Sequence, residues 1–118
     1  MSAVHYQKGK REFVEIKPEH PHINYQRLPV AGLVALEQFM GELEAQLPGI
    51  TAPALIVQSQ GDPVVDPEGS RLLFERLGSL QKEYRQFDFP RHGILLGEGA
   101  DKVHAVIGEF IERIRAMP

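Results

Sequence analysis

The 118 residues carry 13 basic and 16 acidic side chains, a net charge of −3, and no cysteine. That length fits one domain with a modest core. The charge balance excludes a basic nucleic-acid groove, and the missing thiols exclude disulfides, cysteine nucleophiles and thiolate metal sites.

The N-terminal segment reads differently from the rest. A short strand is expected at Glu12–Ile16, and "KPEHPHINYQRLPV" after it has three prolines, two histidines and no helical period, so residues 1–30 are expected to form a loop or lid-like segment. Residues 31–118 carry the regular elements. No apolar run reaches the length of a membrane span, and "MSAVHYQKGKREF" lacks a hydrophobic signal core, so a cytoplasmic protein is expected.

From Val30 a helical period sets in. Leu33, Leu36, Met40, Leu43 and Leu47 recur at spacings of three and four, which predicts an amphipathic helix stopped by Pro48 and Gly49. "PALIVQ" then reads as a strand buried on both faces of a parallel sheet. After the loop "SQGDPVV", Asp66 suits a helix N-cap and Pro67 the first helical position, with Leu73, Leu77 and Leu80 on the buried side. "EYRQFDF" predicts a second strand, with Phe87 and Phe89 on one face. "PRHGILLGEGA" reads as a loop before a last helix, which turns Val103, Ile107, Phe110 and Ile114 inward. Asp101 near its start and Arg113 and Arg115 near its end match the helix dipole.

Helix, strand, helix, strand, helix gives an α/β class with two parallel strands joined by a crossover. Ligands in such sheets bind beyond the carboxyl ends of the strands. Asp62 lies four residues past Gln58, and His92 three past Phe89, so both fall at that edge. Neighbouring strands are about 4.8 Å apart, close enough for the two loops to join a carboxylate to an imidazole. A carboxylate so placed fixes the tautomer of the imidazole, which can then take a proton from a nucleophile. Asp62 also has the plainer reading of a turn aspartate before a proline, and His92 that of a loop histidine bonded to a carbonyl. Asp66 is the rival acid, though helix capping already accounts for it.

"PALIVQSQGDPVVDPEGSRLLFERLGS", followed by "FPRHGILL" and a closing amphipathic helix, resembles the C-terminal part of an α/β-hydrolase. The likeness is to the bacterial carboxylesterase, monoacylglycerol lipase and lysophospholipase group, and runs from about Asn24 to Ile114. "NYQRLPVAGLVALEQFMGEL" resembles that group's return from the lid into the core. The resemblance implies a partial α/β-hydrolase fold: the last two parallel strands, flanking helices and a lid-derived N-terminal segment. It assigns the triad acid to Asp62, in a D-x-x-V turn with Val65 in place, and the base to His92. The group's serine stands in a G-x-S-x-G elbow. The four serines here, Ser2, Ser59, Ser70 and Ser79, stand in none.

The expected function is therefore the C-terminal fragment of a serine carboxylic-ester hydrolase, with an acyl-ester or lipid-like small molecule as the parent enzyme's substrate and this chain inactive alone. The alternative is a non-catalytic module that dimerises or binds a partner, since a partial sheet exposes strand edges and apolar faces. A homo-oligomer or a missing N-terminal half is expected as partner. Neither cofactor nor metal is expected. His20 and His22 lack further clustered ligands, His104 reads as an exposed helix histidine and His5 as part of a tail. A phosphate-accepting aspartate is disfavoured because the paired acids that hold magnesium are missing.

Overall fold

The structure is a computed structural model that describes residues 13–17 and 27–118. His5, His20 and His22 lie outside the described residues. The chain divides into two compact units, Met1–Gln46 and Leu47–Pro118.

In the first unit, β1 (Phe13–Glu15) pairs antiparallel with β2 (Arg27–Pro29), Val14 opposite Leu28. β1 falls inside the strand expected at Glu12–Ile16, whereas β2 occupies a stretch read as loop. Three residues ending in proline are too few to show an alternation. α1 (Val30–Gln46) follows directly and buries Val30. Its leucine stripe is less enclosed than its spacing suggested: Leu33 and Leu43 are half-buried, while Leu36 and Met40 are exposed. Phe39, which borders the stripe at i+3 from Leu36, is exposed as well. Apolar residues surround much of α1, so the stripe does not single out one inward face.

The second unit opens with a 3-10 turn, Leu47–Gly49, whose Leu47 is buried. Proline and glycine in succession end the helical ladder there. β3 (Ala54–Ser59) and β4 (Lys82–Phe87) form a parallel pair in the register Ala54↔Lys82 to Ser59↔Phe87. α2 (Pro67–Arg76) is the crossover, and α3 (Ala100–Arg115) closes the chain. The expected order of helix, strand, helix, strand, helix is observed.

α2 and α3 take opposite faces of the sheet. The Tyr84 ring lies 5.9 Å from the Phe74 ring of α2, and the adjacent Glu83 pairs with Arg113 of α3. Neighbouring strand residues point to opposite faces, so the two contacts cannot share one. The small core gathers Leu47, Ile94, Ala100, Val103 and Val106, with Val103 fully enclosed. Ala100 and Val106 join the predicted inward face of α3, while Ile107, Phe110 and Ile114 stay half-buried. Leu55, Ile56 and Val57 are also half-buried, not sealed on both faces as "PALIVQ" suggested. Among the described residues, each strand pairs with one other.

α2 is held at both ends. Asp66 accepts from the Glu68 N–H at 2.9 Å, and Pro67 takes the first helical position. At the other end Lys82 Nζ donates to the carbonyls of Phe74, Leu77 and Glu75 at 2.7, 3.1 and 3.2 Å. Those carbonyls belong to the last turn or follow it, where helical partners run out. Leu80, expected on the buried side of α2, lies beyond the helix and is 94% exposed. Ser79 is buried in its place, and its hydroxyl donates to the Ala52 carbonyl at 2.5 Å.

Candidate active site

The β3–β4 ladder continues past both strands. Gln60 N–H donates to the Phe87 carbonyl at 2.8 Å, and the buried Ser59 hydroxyl to the Phe89 carbonyl at 2.5 Å. The two chains thus leave the sheet still joined, with Gly61 against Phe89 and Pro90. Asp62 comes three residues after Ser59, and His92 three after Phe89. The exits deliver them to the same place: His92 Nδ1 lies 2.7 Å from Asp62 Oδ2.

Asp62 is enclosed on every side. Its side chain is 1% exposed, whereas that of His92 is 49% exposed. Oδ1 accepts from the N–H groups of Val64 and Val65 at 2.8 and 3.0 Å. Oδ2 takes Gln58 Nε2 at 3.1 Å along with His92. Burial pushes the carboxyl toward its neutral form. The bond from His92, the amides of Val65 and Val64, and Gln58 outweigh that and hold it below the ordinary aspartate range. An ionised carboxylate is acceptor-only, so His92 Nδ1 carries the proton in this contact.

The rival acid, Asp66, is committed to the cap of α2. The described serines have structural partners as well: Ser59 the Phe89 carbonyl, Ser79 the Ala52 carbonyl, and Ser70 the side-chain oxygen of Gln58. Ser2 lies outside the described residues. His104, exposed on α3, bonds the Leu95 carbonyl at 2.7 Å. Among the described residues no three histidines, aspartates or glutamates cluster as metal ligands. No helix among them is long and apolar enough to cross a membrane.

Sequence reasoning missed two parts of the site. In the sequence Gln58 reads as the last residue of a strand, yet its buried amide touches the Asp62 carboxylate. A polar residue closing the run "ALIV" was the available signal, because a buried amide needs partners. In the sequence Arg91 reads only as part of a loop. Its guanidinium lies over the Phe89 ring, 4.6 Å from the centroid. It donates to the carbonyls of Gly93, Leu96 and Glu98 at 2.8, 3.2 and 2.6 Å. No spacing rule reveals a side chain that binds its own following loop.

A family model described as serine aminopeptidase S33 (Hydrolase_4) matches residues 2–99. The thermostable monoacylglycerol lipase of Bacillus sp. (strain H-257) is 35% identical over 66 residues, covering 56% of this chain and 26% of the lipase. The carboxylesterase of Bacillus subtilis (strain 168) is 22% identical over 90 residues, covering 76% of this chain and 37% of the esterase. The crystal structure of the Paleococcus ferrophilus monoacylglycerol lipase aligns with a TM-score of 0.65 at 28% identity, covering 78% of this chain and 36% of that one. The chain thus spans between 26% and 37% of the length of these three relatives.

Proposed function

The chain belongs to the serine aminopeptidase S33 family, a group of α/β-hydrolase fold, and from that premise we propose that it supplies the acid and base of a serine carboxylic-ester hydrolase. The observation that carries the reading is the 2.7 Å contact between His92 Nδ1 and the enclosed carboxylate of Asp62. The nucleophile comes from outside these 118 residues, because none of the four serines stands in a G-x-S-x-G elbow.

In this reading the serine oxygen adds to an ester carbonyl while its proton passes to Nε2 of His92, the nitrogen that Asp62 does not hold. Asp62 keeps the ring in the receptive tautomer and stabilises the imidazolium that forms. His92 then returns the proton to the leaving alcohol, and a water attacks the acyl-enzyme by the same route. Backbone N–H groups outside the chain hold the oxyanion. The substrate is an acyl ester of monoacylglycerol type, a choice supported by the names of two similar lipases and one similar carboxylesterase. Residues 1–30 are assigned to a lid-like or loop segment in this reading, and residues 31–118 to the C-terminal part of the hydrolase domain.

The test is complementation. The chain is mixed with a polypeptide carrying the serine elbow of a similar lipase, and hydrolysis of a 4-nitrophenyl ester is followed. Activity is expected with the mixture only, with a loss on the order of 10⁴ for Asp62→Asn and a larger one for His92→Ala. Fluorophosphonate labelling of the chain alone at any of its four serines would overturn the assignment.

A second reading has one observation in its favour. Leu36, Phe39 and Met40 are exposed on α1, as expected of a non-catalytic module that dimerises or binds a partner. Light scattering at micromolar concentration tests it: a dimer supports the module, and a monomeric mass removes the self-association version.

A further inference from the structure

Gln58 ends β3 buried, and both ends of its amide are engaged. Nε2 donates to Asp62 Oδ2 at 3.1 Å and to the Ser59 carbonyl at 2.9 Å. Oε1 faces the Ser70 hydroxyl at 2.5 Å. The direction of each bond follows from chemistry. A carboxylate only accepts, as does a carbonyl, so the amide must turn its NH₂ toward both. That leaves Oε1 for Ser70, whose hydroxyl must donate. Ser70 sits on the first helical turn of α2, so the helix reaches the acid through one side chain.

With Gln58 in place, each oxygen of Asp62 accepts two hydrogen bonds: Val64 and Val65 on Oδ1, Gln58 and His92 on Oδ2. The Val64 and Val65 amides fix one oxygen. Gln58 donates to the other, the oxygen that meets the imidazole. Without it, Oδ2 is held by the exposed histidine alone and the carboxylate can turn away.

We propose that Gln58, locked by Ser70, is a positioning residue that aims Asp62 at His92 and so holds His92 in its Nδ1–H tautomer. The proposal rests on the reading of Asp62 and His92 as acid and base. It adds a part that neither the resemblance nor the relatives' names assign. It also gives Ser70 a role without nucleophilic chemistry: its proton is committed to Gln58.

The test is long-range ¹H–¹⁵N correlation of the His92 ring in the full 118-residue chain, at a pH where the ring is neutral. The wild type is expected to show the Nδ1–H tautomer. Ser70→Ala removes the lock and is expected to lower the ratio of Nδ1–H to Nε2–H by about fivefold, the equivalent of one ordinary hydrogen bond. Ser70→Thr keeps the hydroxyl and restores the ratio. Gln58→Glu keeps the shape but sets a second carboxylate against Asp62, so the pair must share a proton and the Nδ1–H preference is lost. Backbone amide spectra of every variant report folding, and a loss of stability with an unchanged tautomer counts as a merely structural role. An unchanged ratio in both Ser70→Ala and Gln58→Glu overturns the proposal and leaves the acid–base pair standing. An Nε2–H tautomer in the wild type overturns the pair and the proposal together.

Discussion

A methyl group on Gly61 would stand 2.6 Å from the Phe89 carbonyl oxygen and 3.1 Å from the Pro90 α-carbon. Two chain segments therefore touch backbone to backbone directly before Asp62 and His92. The Phe89 carbonyl cannot withdraw cheaply, because it is also the acceptor for Ser59. Gly61→Ala is expected to cost about 1–3 kcal/mol through overpacking and to part the two loops. A thermal melt gives the first effect, and the His92 ring shifts in the same sample give the second.

Asp62 carries a depressed pKa in the folded chain. The unfolded chain therefore takes up this proton first as pH falls. The stability contributed by Asp62 is complete above the unfolded aspartate value and fades as pH drops through the lower folded value, a window below about pH 4. Urea melts across that window should show a smaller loss for Asp62→Asn than for the wild type. Equal pH dependence of the two would contradict the bonding described for the carboxylate.

Lys82 gathers three carbonyls at the C-terminal end of α2 and lies over the Phe74 ring, 4.8 Å from its centroid. Lys82→Met keeps much of the apolar stem and removes the ammonium. A loss of about 1–2 kcal/mol is expected in denaturant unfolding, the sum of a helix-end charge and lost hydrogen bonds. The His92 tautomer should not move, since Lys82 touches nothing at the site.

Arg91 precedes the histidine and binds three carbonyls in the stretch that follows it. Arg91→Lys retains the charge and loses the planar fork. The expected result is faster hydrogen exchange at residues 93–99 with little change in global stability. Protection equal to the wild type would show that the loop holds its shape without the guanidinium.

The elements that could be read from the sequence are those whose local signals agreed. Asp66-Pro67 is capping chemistry that needs no tertiary context, and the β-rich runs before Asp62 and His92 set both residues at one sheet edge by counting. Elsewhere the context decided. β2 is three residues held by one partner strand, too short to carry a period. The α1 stripe has helical spacing, but spacing does not say whether anything covers it, and Leu36 and Met40 are exposed. Leu80 kept the period of α2 past its end, because periodicity does not register where Leu77 leaves the helix. Gln58 and Ser70 stand twelve positions apart on different elements, and only the fold of the crossover brings them together.

The donors around Asp62, His92 apart, come from the residues immediately before and after it. Gln58 precedes it by four positions, and Val64 and Val65 follow within three. Ser70, which holds Gln58, stands eight positions after Asp62. The stretch from Gln58 to Ser70 thus presents an oriented carboxylate as a short local cassette. Grafted between a parallel strand and its following helix in another scaffold, it would ask the host for a histidine and for a neighbouring strand exit in the place of Phe89, whose carbonyl holds Ser59 and meets Gly61 here.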